Sequence, residues 1–206
     1  MKIQFLSQPT PNLTWTNDPD VCPACGRKSW NVPQNITLVS HVKEIYWPRI
    51  KSLTDQYRGF RFCPHLGCPL VYYHPKIHFV ATVNDLKTRV SYKVTEPPIP
   101  VCYCVGVLAE TIREEIVVKQ CCDSLEDIKK YTGARTGKWC HITNPSGRCC
   151  GPMVDRVIKA ALAERVAEPL KREALRLAQS IPDNDASPTA RTVSDDCCSI
   201  DSPTSD

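Results

Sequence analysis

The spacing of apolar residues changes character partway along the chain. In the first half it alternates with period two. Phe60 and Phe62, then Val71 and Tyr73, predict the two strands of a hairpin, and Ile77, Phe79 and Ala81 continue the extended pattern towards Thr88–Val94. Asn35-Ile36-Thr37-Leu38-Val39 is rich in β-branched residues and predicts a further strand. Beyond residue 100 the period becomes helical. Leu108, Ile112 and Ile116 mark one helix. A second is capped by Asp123 or Ser124, continues through Leu125, Ile128 and Tyr131, and stops at Gly133. From Pro152 a third helical face carries Val154, Ile158, Ala161, Leu162 and Val166, and Pro169 is expected to break or kink it.

These elements predict an α+β chain in five segments. Residues 1–20 are a polar, proline-bearing arm, and 21–95 form a small β-rich module. Residues 96–151 form a helical module, 152–179 a C-terminal helical segment, and 180–206 a disordered acidic tail. The modules meet at Glu96-Pro97-Pro98-Ile99-Pro100, a stiff connection because proline fixes φ.

Composition explains how such small modules are held together. Aromatic residues are only 7% of the chain, while 13 cysteines is far above ordinary usage, so cross-links or metals must supplement a modest core. Six of the thiols are vicinal (Cys121-Cys122, Cys149-Cys150, Cys197-Cys198), a poor geometry for mutual disulfides. The amino terminus has no sustained apolar run of the secretory type, and the apolar stretch Val101–Ala109 is too short to cross a bilayer. The expectation is a cytoplasmic protein, not inserted in a membrane, whose cysteines hold metal. The formal charge of +4 falls towards neutrality once thiolates bind metal, which removes the main argument for a nucleic-acid partner.

The thiols fall into two sets. Cys22-Pro23-Ala24-Cys25-Gly26 is a knuckle in which a tight turn aims two thiolates at one ion. Cys63 and Cys68 lie on the connection of the predicted hairpin, so Cys22, Cys25, Cys63 and Cys68 form a C-x2-C…C-x4-C zinc site of the closed, structural kind. His65 lies between two of these ligands, and His41 follows the knuckle. Either is a candidate to join the site, although four thiolates already suffice. The second set opens with Cys102-Tyr103-Cys104. It closes, after 35 intervening residues, with Cys140 and then Cys149 or Cys150 on a Gly/Pro-rich loop, again a four-thiolate centre.

The runs Lys87-Thr88-Arg89-Val90, Pro100-Val101-Cys102-Tyr103-Cys104 and Thr136-Gly137-Lys138-Trp139-Cys140, with Thr143-Asn144-Pro145-Ser146-Gly147-Arg148-Cys149-Cys150, resemble the amino-terminal half of CopZ-type copper chaperones. The resemblance covers residues 20 to about 155. It implies a zinc module followed by a module similar to bacterioferritin-associated ferredoxin that holds a [2Fe-2S] cluster. It further implies Cys102, Cys104, Cys140 and Cys150 as the cluster ligands. A C-x-C pair is able to serve one iron from a single turn, and the other pair comes from a separate loop. No further C-x-x-C follows residue 150, so the copper-carrying heavy-metal-associated domain of the family has no counterpart in this sequence.

The expected function is that of a non-enzymatic zinc and [2Fe-2S] protein. It would transfer one electron in support of copper or other soft-metal handling, with transient Cu(I) as a further ligand. Its partner would be a redox protein or a metal-handling protein such as a copper chaperone domain or a metal-transporting ATPase. The alternatives are a two-zinc interaction protein without redox activity and an accessory component of an oxidoreductase. No nucleophile–base arrangement, phosphate-binding glycine loop or open zinc position is legible in the sequence. Cys121-Cys122 and Cys197-Cys198 are pairs suited to soft ions, with core packing as the competing role for the first pair.

Overall fold

A computed structural model describes residues 12–48, 50 and 59–179. The chain divides into two compact units, residues 1–168 and 169–206. Both predicted thiol sets lie in the first.

A four-stranded antiparallel sheet of order β1-β2-β3-β4 is built from Trp30–Asn31 (β1), Arg61–Phe62 (β2), Leu70–His74 (β3) and Phe79–Thr82 (β4). The predicted hairpin is present: Arg61 pairs with Tyr73 and Phe62 with Tyr72, and the connection carries Cys63 and Cys68. Every residue of β3 is buried, and the strand separates two packed clusters. Val71 and Tyr72 join Phe60, Phe62, Phe79, Leu38 and Ile50 in one core. Leu70 and Tyr73 pack with Cys22, Cys63 and Cys68 in the other. Side chains alternate along a strand, so neighbouring tyrosines serve opposite faces. A register shift between Leu70 and Tyr72 accommodates Val71 as a bulge.

Asn35–His41 is an α-helix (α1), not the strand its β-branched residues predict. Thr37, Leu38 and His41 are its buried positions, a helical spacing that packs one face on the core. Burial therefore overrides local propensity here. Within Thr88–Val94 the backbone forms a short 3-10 turn at Ser91–Lys93 instead of a continued strand. Of the predicted arm, the described residues pack against the thiol-bearing cluster through Leu13 and Trp15. Trp15 also stacks on His78 at 4.6 Å, and the Thr14 N–H donates to the Pro23 carbonyl at 2.8 Å.

The second half opens with a two-stranded hairpin, Pro100–Cys102 (β5) and Val107–Leu108 (β6). Helix α2 (Ala109–Arg113) follows with no side-chain cap on Leu108 and runs into a π-helical turn over Glu114–Val118. Helix α3 (Leu125–Thr132) is bounded as the sequence predicts. Ser124 and Asp127 form a reciprocal capping box, and Gly133 ends the helix in the left-handed region at φ 73°. Cys140–Thr143 is a single helical turn (α4) where the sequence predicts only a loop. Helix α5 (Gly151–Gln179) contains Pro169. Val154, Ile158 and Ala161 are buried as expected, whereas Val166 is 70% exposed and lies outside the apolar face. The core of this half joins these residues to Val101, Val107, Ile112, Ile116 and Ile128. Among the described residues no helix is long and apolar enough to cross a membrane. The tail with Cys197 and Cys198 lies outside the described residues.

Candidate metal centres

The first thiol set assembles from two glycine turns. The Cys22 N–H bonds the Arg27 carbonyl at 2.9 Å, and the Gly26 N–H bonds the Cys22 carbonyl at 2.8 Å. Gly26 takes φ 67° to close this knuckle, and Gly67 at φ 80° does the same just before Cys68. The Lys93 ammonium clamps the second turn through the His65 carbonyl at 2.8 Å and the Cys68 carbonyl at 3.1 Å.

The four sulfurs of Cys22, Cys25, Cys63 and Cys68 all lie within 4.8 Å of one another. Cys22 and Cys68 are 3.8 Å apart, and Cys25 and Cys63 are 3.7 Å apart. A tetrahedron with zinc–sulfur bonds of about 2.3 Å has edges of about 3.8 Å. The set therefore fits one zinc ion without rearrangement.

The thiols already interact as a group. Hydrogen bonds with Cys22 and Cys63 bring Cys68 down to about 3, and those with Cys22 and Cys68 push Cys63 upward. His65 Nδ1 lies 3.5 Å from the Cys63 sulfur and 3.7 Å from that of Cys25, which suits a hydrogen bond to bound thiolate. Burial, followed by Arg27 and Lys93, lowers its pKa and favours the neutral ring. His41 faces elsewhere, with Nδ1 2.9 Å from the Thr88 hydroxyl.

The second set comes from four places in the chain. Cys102 ends β5, Cys104 sits in the β5–β6 turn, Cys140 begins α4, and Cys150 immediately precedes α5. The contacts run across the loops. Cys102 and Cys150 are 3.3 Å apart, and Cys104 and Cys140 are 3.5 Å apart. The turn after β5 thus brings each thiol of the C-x-C pair against a different segment.

Polar groups flank these sulfurs. The Arg135 N–H points at Cys102 Sγ at 3.4 Å, and the Thr143 hydroxyl lies 3.0 Å from Cys104 Sγ. Facing Cys150, assisted by backbone N–H groups of Arg135, Val105 and Cys104, brings Cys102 down to about 6 against its own burial. The same contact pushes Cys150 upward. Cys150 also accepts from the Met153 and Val154 N–H groups through its carbonyl, so the residue stands at the N-terminal end of α5. Cys149 is exposed, yet its sulfur lies within 4.8 Å of those of Cys140 and Cys150.

Tyr72, Thr37 and Trp30, to which sequence reasoning assigns no part in a site, hold the Cys140–Cys150 loop against the β-rich half. The Tyr72 hydroxyl donates to the Pro145 carbonyl at 2.6 Å, and the Thr37 hydroxyl donates to the His141 carbonyl. The Arg148 guanidinium lies over the Trp30 ring, 4.7 Å from its centroid. Asn144 Oδ1 accepts from both the N–H and the hydroxyl of Ser146, which shapes the turn itself. Gly137 lies so close to Cys104 that an added Cβ would stand 2.3 Å from the Cys104 Cβ.

Residues 19–87 match the zinc-binding domain family of the CopZ type. Over 136 residues, 66% of this chain, the sequence is 38% identical to the copper chaperone CopZ of Archaeoglobus fulgidus, of which the match covers 60%. The fold is similar to the crystal structure of the N-terminal domain of that protein, with TM-score 0.54 and 38% identity. This match covers 66% of this chain and 95% of the solved domain. A tetrahedral thiol set inside the matched zinc domain, and 38% identity over 95% of the solved domain, place this chain in the family of the CopZ N-terminal domain.

Proposed function

We propose that the chain is a non-enzymatic, cytoplasmic zinc and [2Fe-2S] protein that supports the handling of copper or another soft metal. Cys22, Cys25, Cys63 and Cys68 hold a structural zinc ion. Cys102, Cys104, Cys140 and Cys150 hold the cluster. The observation that carries this reading is the cross-loop pairing of Cys102 with Cys150 and of Cys104 with Cys140, which offers two thiolates to each of two adjacent irons. A [2Fe-2S] cluster, when bound, exchanges one electron. The chain's own part is to orient the sulfurs, to supply the Arg135 N–H as a donor to Cys102, to hold the Thr143 hydroxyl (which donates to the Trp139 carbonyl) beside Cys104, and to shield Cys102 and Cys150 from water. Exposed Trp139 beside Cys140 lies next to this centre and suits contact with a redox or metal-handling partner, such as a copper chaperone domain or a metal-transporting ATPase.

The test is anaerobic reconstitution with iron and sulfide, followed by metal analysis, visible spectroscopy and electron paramagnetic resonance after dithionite reduction. The expected product has two irons and one zinc per chain. Cys150→Ser loses the visible bands and Cys149→Ser keeps them. A colourless product with iron near zero overturns the reading. A second reading, a two-zinc protein without redox activity, is favoured by the convergence of Cys140, Cys149 and Cys150 within 4.8 Å, which suits a single ion. It predicts two zincs, no colour and loss of one zinc in Cys149→Ser.

A further inference from the structure

Glu115, Cys121 and Cys122 bring three ligating atoms within 4.8 Å of one another, apart from both thiol sets above. The local backbone builds this convergence. The π-helical turn over Glu114–Val118 inserts an extra residue at the end of α2, and Gln120, a non-glycine residue, reverses the chain at φ 53°. The Cys121 N–H then reaches back six residues to the Glu115 carbonyl at 3.1 Å. This widened helix end places the vicinal thiols over the Glu115 side chain.

The carboxylate is divided between two tasks. Its Oε1 accepts from the Lys119 ammonium at 2.7 Å, and its Oε2 faces Cys121 Sγ at 3.1 Å. Glu115 is only 9% exposed, so its orientation is fixed by this ion pair and by packing. Cys122 is fully buried in the core of the second half, where its carbonyl accepts from Arg165 at 3.4 Å, while Cys121 is exposed. One side of the convergence is therefore anchored and the other is open.

The sulfur separation selects among ions. Cys121 and Cys122 Sγ lie 3.6 Å apart. That is close to the tetrahedral edge of about 3.8 Å, and well short of the roughly 4.6 Å that a linear two-sulfur ion with the same bond length of about 2.3 Å requires. Two thiolates and a carboxylate carry three negative charges, which a divalent cation and Lys119 balance together.

We propose that Glu115, Cys121 and Cys122 form a third, open metal site for a tetrahedral thiophilic divalent cation of the zinc class, with solvent as the fourth ligand. Two sulfurs favour Zn2+ or Cd2+ over hard cations, and the exposed Cys121 side lets the ion enter and leave. Because neither thiol set contributes a ligand, the site stands or falls independently of the cluster reading.

The experiment uses the full chain, reduced and with its tightly held metals in place. Exchangeable Zn2+ is counted by equilibrium dialysis, and Cd2+ binding is followed by its thiolate charge-transfer absorbance. The expected result is one exchangeable equivalent in the unaltered protein, absent from Cys121→Ser, and bound about 10-fold more weakly or worse by Glu115→Gln. A Cys197→Ser/Cys198→Ser variant keeps the equivalent. Absence of the extra equivalent, its persistence in Cys121→Ser, unchanged affinity in Glu115→Gln, or its loss from the tail variant would each overturn the proposal. Cys121 is exposed, so its replacement by serine leaves the fold able to report.

Discussion

The Tyr72 hydroxyl donates to the Pro145 carbonyl at 2.6 Å across 73 residues of sequence, joining the central strand of the zinc-bearing sheet to the loop that delivers Cys149 and Cys150. Its neighbour Tyr73 reaches the other way, donating to the Pro19 carbonyl at 3.1 Å on the thiol side of the same strand. Strand alternation thus turns one face of β3 to the first thiol set and the other to the loop that carries Cys149 and Cys150.

Tyr72→Phe removes the buried donor and leaves the Pro145 carbonyl unpaired at the same point. Denaturant unfolding should show a loss of about 1–2 kcal/mol. The metal of the second thiol set should also be released faster, with zinc in the first set unaffected. Equal release rates from the variant and the unaltered protein would show that the loop holds its shape without this bond.

Gly137→Ala forces a Cβ to 2.3 Å from the Cys104 Cβ, and the neighbouring backbone must yield. The expected cost is about 1–3 kcal/mol of stability, with Cys104 displaced from Cys140. Metal analysis should find the second centre depleted and the zinc of Cys22, Cys25, Cys63 and Cys68 retained.

His41 is buried, and that burial lowers its pKa from 6.5 to about 4, against the pull of backbone carbonyls at Ile142 and Asn144. The unfolded chain binds the proton more readily, so this contribution is fully present above pH 6.5. It is lost as pH falls towards 4, to the extent of about 3 kcal/mol. His41→Asn should flatten the dependence of unfolding free energy on pH between 7 and 5. The comparison is made with zinc content checked at each pH. An unchanged slope would place the acid sensitivity elsewhere.

Zinc removal should unfold the first thiol cluster, because Leu13, Trp15, Leu70 and Tyr73 pack on the thiols rather than on an independent apolar core. A chelator with reductant should change Trp15 fluorescence and lower stability by several kcal/mol, and added zinc should restore both. Cys22→Ser should behave as the chelated protein does.

Local chemistry made part of this legible in the sequence. Ser124, Asp127 and Gly133 bound α3 because capping and left-handed termination depend on residues adjacent in the chain. The C-x2-C and C-x4-C turns are each legible for the same reason, as each carries its own glycine, whereas their convergence on one another is long-range. The helix at Asn35–His41 was not legible: its β-branched residues favour a strand, and only the core that buries Thr37, Leu38 and His41 reverses that preference. Val166 faces solvent although its spacing suggests the apolar face: at about 100° per residue it lies about 120° round the helix from buried Val154.

The sequence by itself determined which thiols are candidates: Cys22, Cys25, Cys63 and Cys68 on two turns, and Cys102, Cys104 and Cys140 with Cys149 or Cys150, in an α+β chain with a β-rich zinc-binding module. The tertiary structure decided how they are grouped. It paired Cys102 with Cys150 and Cys104 with Cys140, seated the Cys140–Cys150 loop on Tyr72, Thr37 and Trp30, and folded Glu115 against Cys121 and Cys122. Thiol spacing constrains ligands that share a turn. Pairing between turns depends on contacts tens of residues apart, which only the packed chain specifies.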